Sequence, residues 1–81
     1  MGKPLAIVTG AGGEMGHLLI PALRERGADV VALDLVPLPE SLSAQCIESV
    51  ELSVLDAGAL DDVFQRRHPD EVFHLAAVLS S

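Results

Sequence analysis

Only one cysteine, Cys46, occurs in the chain, so neither an internal disulfide nor a cluster of thiolate metal ligands can form. That usage fits a reducing, cytoplasmic setting. Basic residues are scarce as well: five Lys and Arg stand against twelve Asp and Glu, for a formal charge of −7. A surface of that sign argues against nucleic acid or an anionic membrane as a partner. It leaves room for a nucleotide, which backbone dipoles can hold without net positive charge. Long apolar runs are missing too. Met1-Gly2-Lys3-Pro4 precedes a run of strand length, which is neither a secretory signal nor a membrane span. Gly2 invites an acylation reading, but Leu5 and Ala6 stand where a Ser or Thr is wanted.

Length is the next shortage. The 81 residues allow at most one domain, and a chain of that size buries only about 60% of its unfolded surface. An apolar share of 49% is nevertheless too high for disorder. The elements described below read as the N-terminal half of a larger fold.

What the chain does have is Leu5 to Gly16, L-A-I-V-T-G-A-G-G-E-M-G. An apolar run, Leu5 to Thr9, reads as a strand buried on both faces, as in a parallel sheet covered by helices. Glycines follow at once. Then Met15, Leu18, Leu19, Ala22 and Leu23 recur at i, i+3, i+4, i+7 and i+8, the stripe of a helix from about Glu14 to Arg26. Gly27 supplies its stop, with Arg24 and Arg26 at the end that favours cations. Pro21 removes the bond to the His17 carbonyl, so a bend in one continuous helix is expected.

Val30 to Leu33 form a second strand ending at Asp34. Pro37 and Pro39 mark a loop, with a short helical turn expected around Leu42 to Cys46. Val50, Leu52 and Val54 alternate with Glu51 and Ser53, giving a third strand with one wetter face. Asp56 opens a further helix with Leu60, Val63 and Phe64 on one stripe, closed by His68-Pro69. Val72 to Leu75 form a fourth strand. The order β-α-β-link-β-α-β is half of a doubly wound α/β fold. Right-handed crossovers predict a parallel sheet of strand order 3-2-1-4.

Gly10, Gly13 and Gly16 stand in the spacing GxxGxxG between a strand and a helix. The places call for a tight turn, a backbone without Cβ beneath a pyrophosphate, and close helix–strand packing. Asp34, at the tip of the second strand, is placed to accept from both adenosine ribose hydroxyls. No Arg or Lys follows in Leu35-Val36-Pro37, so a 2′-phosphate would meet an uncompensated carboxylate, and NAD is preferred over NADP. A P-loop is excluded because His17 follows Gly16, where Lys would be required. Thr9 stands where a methyltransferase-type loop has an acid. His17 and His74 show no ligand spacing with an acid, so metal is not expected. His74 reads as a packed strand residue, and Cys46, without a basic neighbour in the sequence, as structural.

These residues resemble the extended short-chain dehydrogenases, also called NAD-dependent epimerase/dehydratases. Thr9 to Gly16 is similar to the TGxxGxxG motif, Asp34 to the ribose acid, and His74-Leu75-Ala76-Ala77 to the HLAA stretch closing the fourth strand. The resemblance implies NAD cradled by Gly10, Gly12, Gly13, Glu14, Met15 and Gly16, with Asp34 on the ribose. Ser53 and Val54 would lie toward the adenine, and Leu75, Ala76 and Ala77 would line the cofactor. Two positions depart from the pattern. Ser53 replaces an acid, and Glu14 stands where the family is more often apolar, so its carboxylate must point to water. Asp56 reads better as a helix N-cap than as a cofactor contact.

The family's catalysis uses a Tyr and a Lys four residues apart, downstream of the fourth strand. This chain has no tyrosine, and Lys3 is its only lysine, so none of its residues is assigned a catalytic role. The resemblance therefore implies the NAD-binding part, residues 1–81, of an oxidoreductase or epimerase. Its substrate would be a small molecule: a hydroxy acid, an amino acid or a sugar derivative. The ending Ala76 to Ser81 is more similar to the threonine and sugar-acid dehydrogenase branch than to the nucleotide-sugar epimerases. A homodimer is implied for the full-length protein. The alternative is a non-catalytic dinucleotide-binding module that senses redox state.

Overall fold

A computed structural model describes residues 2–53 and 55–75. Strand β1 (Leu5–Thr9) leads into helix α1 (Glu14–Glu25), and β2 (Asp29–Asp34) follows. A one-turn helix α2 (Glu40–Ser43), strand β3 (Glu48–Glu51), helix α3 (Ala57–Arg67) and strand β4 (Glu71–His74) complete the order. The four strands form one parallel sheet in the order β3-β2-β1-β4, as expected from right-handed crossovers.

The unbroken apolar character of β1 and β2 has a direct cause. Ala6, Ile7 and Val8, and likewise Val30 to Leu33, are wholly buried because these strands are flanked on both edges and covered on both faces. Period-two alternation then divides them between two cores. Ala6, Val8, Val30 and Ala32 meet Ile20 and Leu23 of α1, with Leu38 and Leu42 from the β2–β3 connection. Ile7, Val31 and Leu33 turn to the opposite face and meet Val63 of α3, with Leu60 and Phe64 beside it.

Several expected boundaries shift. The buried stripe of α1 is Gly16, Ile20 and Leu23, with Leu19 partly buried, whereas Met15 and Leu18 are 60% and 71% exposed and Ala22 is also exposed. Two stripes one residue apart satisfy the same helical spacing, and the approach of Gly16 to the loop selects between them. Pro21 lies on the exposed side, and α1 runs through it as one helix. The short helix begins at Glu40 rather than Leu42, because the Pro39 carbonyl accepts from the Leu42 and Ser43 amides. Strand β3 begins at Glu48 and ends at Glu51, earlier than its alternation suggested. Its pairing opens at the Ile47 amide on the Val30 carbonyl and closes at the Leu52 amide on Asp34, where β2 ends. Asp56 caps α3 by accepting from the Ala59 amide at 3.0 Å. His74 belongs to β4 but is exposed rather than packed.

Ion pairs tie the periphery together: Arg67 and Arg66 both reach Glu48, joining α3 to β3, and Arg26 reaches Glu71, joining the end of α1 to β4. Such half-exposed pairs contribute at most about 1 kcal/mol each.

Both main helices end on a left-handed residue, with different side chains. Gly27 closes α1 at φ 87°, while His68 closes α3 at φ 49° and ψ 63°, a conformation unfavourable for a residue with a Cβ. Gly27→Ala should cost about 1 kcal/mol and His68→Gly should raise stability by about 0.5–1 kcal/mol. Denaturant midpoints of the full-length variants check both, and shifts of equal sign would contradict this account.

Candidate cofactor site

The site grows from the carboxyl ends of β1 and β2. Gly10 leaves β1 at φ 65°, a left-handed turn that a side chain would strain. The next amides all turn inward. Ala11 donates to the Leu33 carbonyl at 3.2 Å, Gly12 to Asp34 Oδ2 at 2.7 Å, and Gly13 to the Gly10 carbonyl at 3.2 Å. Gly13 is the N-cap of α1 and no side chain caps that end. The first intrahelical bond is from the His17 amide to the Gly13 carbonyl, at 3.1 Å. The amides of Glu14, Met15 and Gly16 are thus the first-turn donors that an α-helix leaves without internal acceptors, gathered at its positive end.

The glycines answer to different constraints. A Cβ on Gly16 would lie 1.8 Å from the Ala11 carbonyl oxygen, so α1 approaches the loop more closely than any side chain permits. A Cβ on Gly12 would lie 2.9 Å from Asp34 Oδ2. Gly13 is different: its φ of −79° suits any residue, and a Cβ would meet only the Gly10 carbonyl oxygen at 3.5 Å, an ordinary contact. Among the described residues nothing requires glycine there. The space it keeps open lies over the helix end, where an anion would sit.

An open depression of about 630 Å³ adjoins this end, lined by Gly12, Glu14, His17 and Leu18. Glu14 is exposed, as its charge demands. The His17 ring shares a hydrogen bond of 2.9 Å with the Gly13 carbonyl through Nδ1, which must carry the proton because a carbonyl only accepts. Sequence reading missed His17 and Leu18 as lining residues. Their signal was positional, since i+3 and i+4 from Glu14 share its face.

Asp34 ends β2 with both carboxylate oxygens engaged: Oδ2 accepts from Gly12, and Oδ1 from the amides of Leu35 at 2.6 Å and Val36 at 3.4 Å. Leu35 and Val36 beside it are 68% and 60% exposed, an apolar wall next to the acid that the sequence reading passed over. Ser53 is brought near by the bond from the Leu52 amide to the Asp34 carbonyl. Its hydroxyl already accepts from the Leu55 amide at 3.1 Å, which makes it a turn residue leading to α3. Leu75 donates its amide to the Thr9 carbonyl, just past β4. Buried Thr9 also bonds His74, Oγ1 to Nδ1 at 3.2 Å, clamping β1 to β4 at the site end of the sheet. Val54, Ala76 and Ala77 lie outside the described residues.

Other groups stand apart from this chemistry. Burial raises the Cys46 thiol above its ordinary pKa, an effect that the nearby Arg24 charge partly offsets. That shift disfavours the reactive thiolate. Among the described residues no His, Cys, Asp and Glu gather as metal ligands, and no helix is long and apolar enough to cross a membrane.

Residues 6–81 match the NAD dependent epimerase/dehydratase family, and the chain belongs to it. A short chain dehydrogenase/reductase of Aspergillus versicolor is 38% identical over 74 residues, covering 78% of this chain and 25% of that protein. Among solved structures, a UDP-glucose 4-epimerase of Thermotoga maritima with UDP-glucose is similar at a TM-score of 0.79 and 28% identity, covering 93% of this chain and 25% of that one. The Bordetella bronchiseptica enzyme WbmG in complex with NAD is similar at a TM-score of 0.80 and 26% identity, covering 98% and 26%. The chain therefore spans about a quarter of the length of these relatives.

Two expectations follow from the packing. Gly16→Ala should destabilise the protein by about 3 kcal/mol or more, because backbone rather than a flexible side chain must move, whereas Gly13→Ala should cost no more than about 1 kcal/mol, the preference for Gly over Ala at a helix N-cap. Chemical denaturation of both variants measures the difference. Cys46 should react with iodoacetamide at pH 8 several-fold more slowly than the same cysteine in denaturant, and equal rates would show that the thiol is neither buried nor shifted.

Proposed function

We propose that this chain is the NAD-binding portion of an oxidoreductase or epimerase of the extended short-chain dehydrogenase type. The carrying observation is Gly13, a glycine that neither its backbone conformation nor packing among the described residues requires, set at a helix end without a side-chain cap. The amides of Glu14, Met15 and Gly16 would hold the pyrophosphate, and Asp34 would accept from the adenosine ribose. Leu35 and Val36 offer apolar surface for the base. The carboxylate of Asp34, with no basic residue in Leu35-Val36-Pro37, disfavours a 2′-phosphate and so favours NAD over NADP. Bound NAD would supply a nicotinamide that takes up and returns hydride. The residues described here bind and orient, and acid/base chemistry falls to residues beyond this chain. Similarity to a structure holding UDP-glucose makes UDP-sugars the first substrates to test, ahead of hydroxy acids and amino acids. A cytoplasmic location and a homodimer remain part of the proposal.

Titration of the full-length protein tests it. NAD should bind saturably, and NADP at least about tenfold more weakly, a difference of roughly 1.4 kcal/mol. Gly13→Ala should keep the fold and lose at least about tenfold in NAD affinity. Absence of saturable NAD binding, or a Gly13→Ala variant that binds as the parent does, would overturn the assignment. NAD binding without turnover of any of the three substrate classes would favour the redox-sensing alternative.

A further inference from the structure

The bond between Asp34 and the Gly12 amide spans 22 residues of sequence and joins the two halves of the site. In the inward-facing loop, the Ala11 and Gly13 amides are satisfied by backbone carbonyls, and Gly12 alone is held by a side chain. The contact also accounts for glycine at position 12, where φ is not positive but a Cβ would approach Asp34 Oδ2 to 2.9 Å. Gly12 and Asp34 thus fit one another: the missing side chain admits the carboxylate, and the carboxylate anchors the loop.

We propose that Asp34 is a positioning residue for the pyrophosphate loop, acting through Gly12, and not solely an acceptor for ribose. This inference rests on reading the site as a dinucleotide cleft. An ionised carboxylate has about four acceptor directions. Three are taken, by Gly12 at 2.7 Å, Leu35 at 2.6 Å and Val36 at 3.4 Å. One hydroxyl can be accepted without disturbing these bonds, and a second by giving up the long Val36 contact. The Gly12 bond is short and charge-assisted, so it persists as the ribose arrives. It keeps the loop in place before any ligand binds, which lowers the ordering cost of binding. Removing the carboxylate therefore weakens recognition of the phosphates as well as of the sugar.

Two nucleotides separate the roles. ADP and 2′,3′-dideoxy-ADP are titrated into the full-length parent, Asp34→Ala and Asp34→Asn, and Gly12 amide exchange is followed without ligand. Dideoxy-ADP has no hydroxyl to meet the carboxylate, yet Asp34→Ala should bind it at least about fivefold more weakly than the parent does. Asp34→Asn, whose amide oxygen can still accept from Gly12, should recover part of that loss. Gly12 exchange should quicken about tenfold in Asp34→Ala while the Ile7 and Val31 amides in the sheet stay protected, which separates loop release from unfolding. Equal affinity of parent and Asp34→Ala for dideoxy-ADP, or unchanged Gly12 exchange, would overturn the inference. A parent that binds neither nucleotide would instead overturn the dinucleotide reading, and the exchange result would still decide whether Asp34 holds the loop.

Discussion

The structure depends on how closely α1 comes to the end of β1. Gly16 sits over the Ala11 carbonyl at a distance that no Cβ could share. That single approach fixes the rotation of α1, and with it the residues that reach the core. Ile20 and Leu23 lie one and two turns on, so they fall on the same face and meet Ala6, Val8, Val30 and Ala32. It also brings the first turn of the helix, with three amides that have no intrahelical acceptor, directly beyond the loop. Core packing and the placing of these amides are consequences of the same contact.

The chain carries an excess of acid, yet the site proposed here is one for an anion. No Lys or Arg lines the depression among the described residues. Attraction comes instead from backbone amides aligned at a helix end, which act over a few ångströms and are indifferent to net charge. The two carboxylates nearby are disposed differently. Glu14 faces water, while Asp34 is tied down by backbone donors at the tip of β2. In the proposed binding mode the first stays clear of the phosphates and the second meets the ribose.

Much of this was legible in the residues, and the failures have causes. The unbroken apolar runs of β1 and β2 mark strands covered on both faces, and the structure has them so. The edge strands β3 and β4 were displaced by one to three residues, because their ends are set by where β2 and β1 offer hydrogen-bond partners. The stripe of α1 was misread by one position, since Leu18 and Ala22 look as suitable for burial as Leu19 and Leu23 do. His74 was expected to be packed. Its ring instead bonds Thr9 across the strand pair and remains exposed.

By itself the sequence determined the order of elements, the parallel sheet, the glycine loop and the acid at the tip of β2. Each of these follows from local periodicity or from the spacing of residues along the chain, which needs no knowledge of distant neighbours. Only the tertiary structure decided which face of α1 is buried, and which glycines serve the fold rather than the space above it. It also showed Asp34 bonded to the Gly12 amide. Those matters turn on distances between atoms remote in sequence, such as the 2.7 Å from Gly12 to Asp34, and no pattern of residue types contains them.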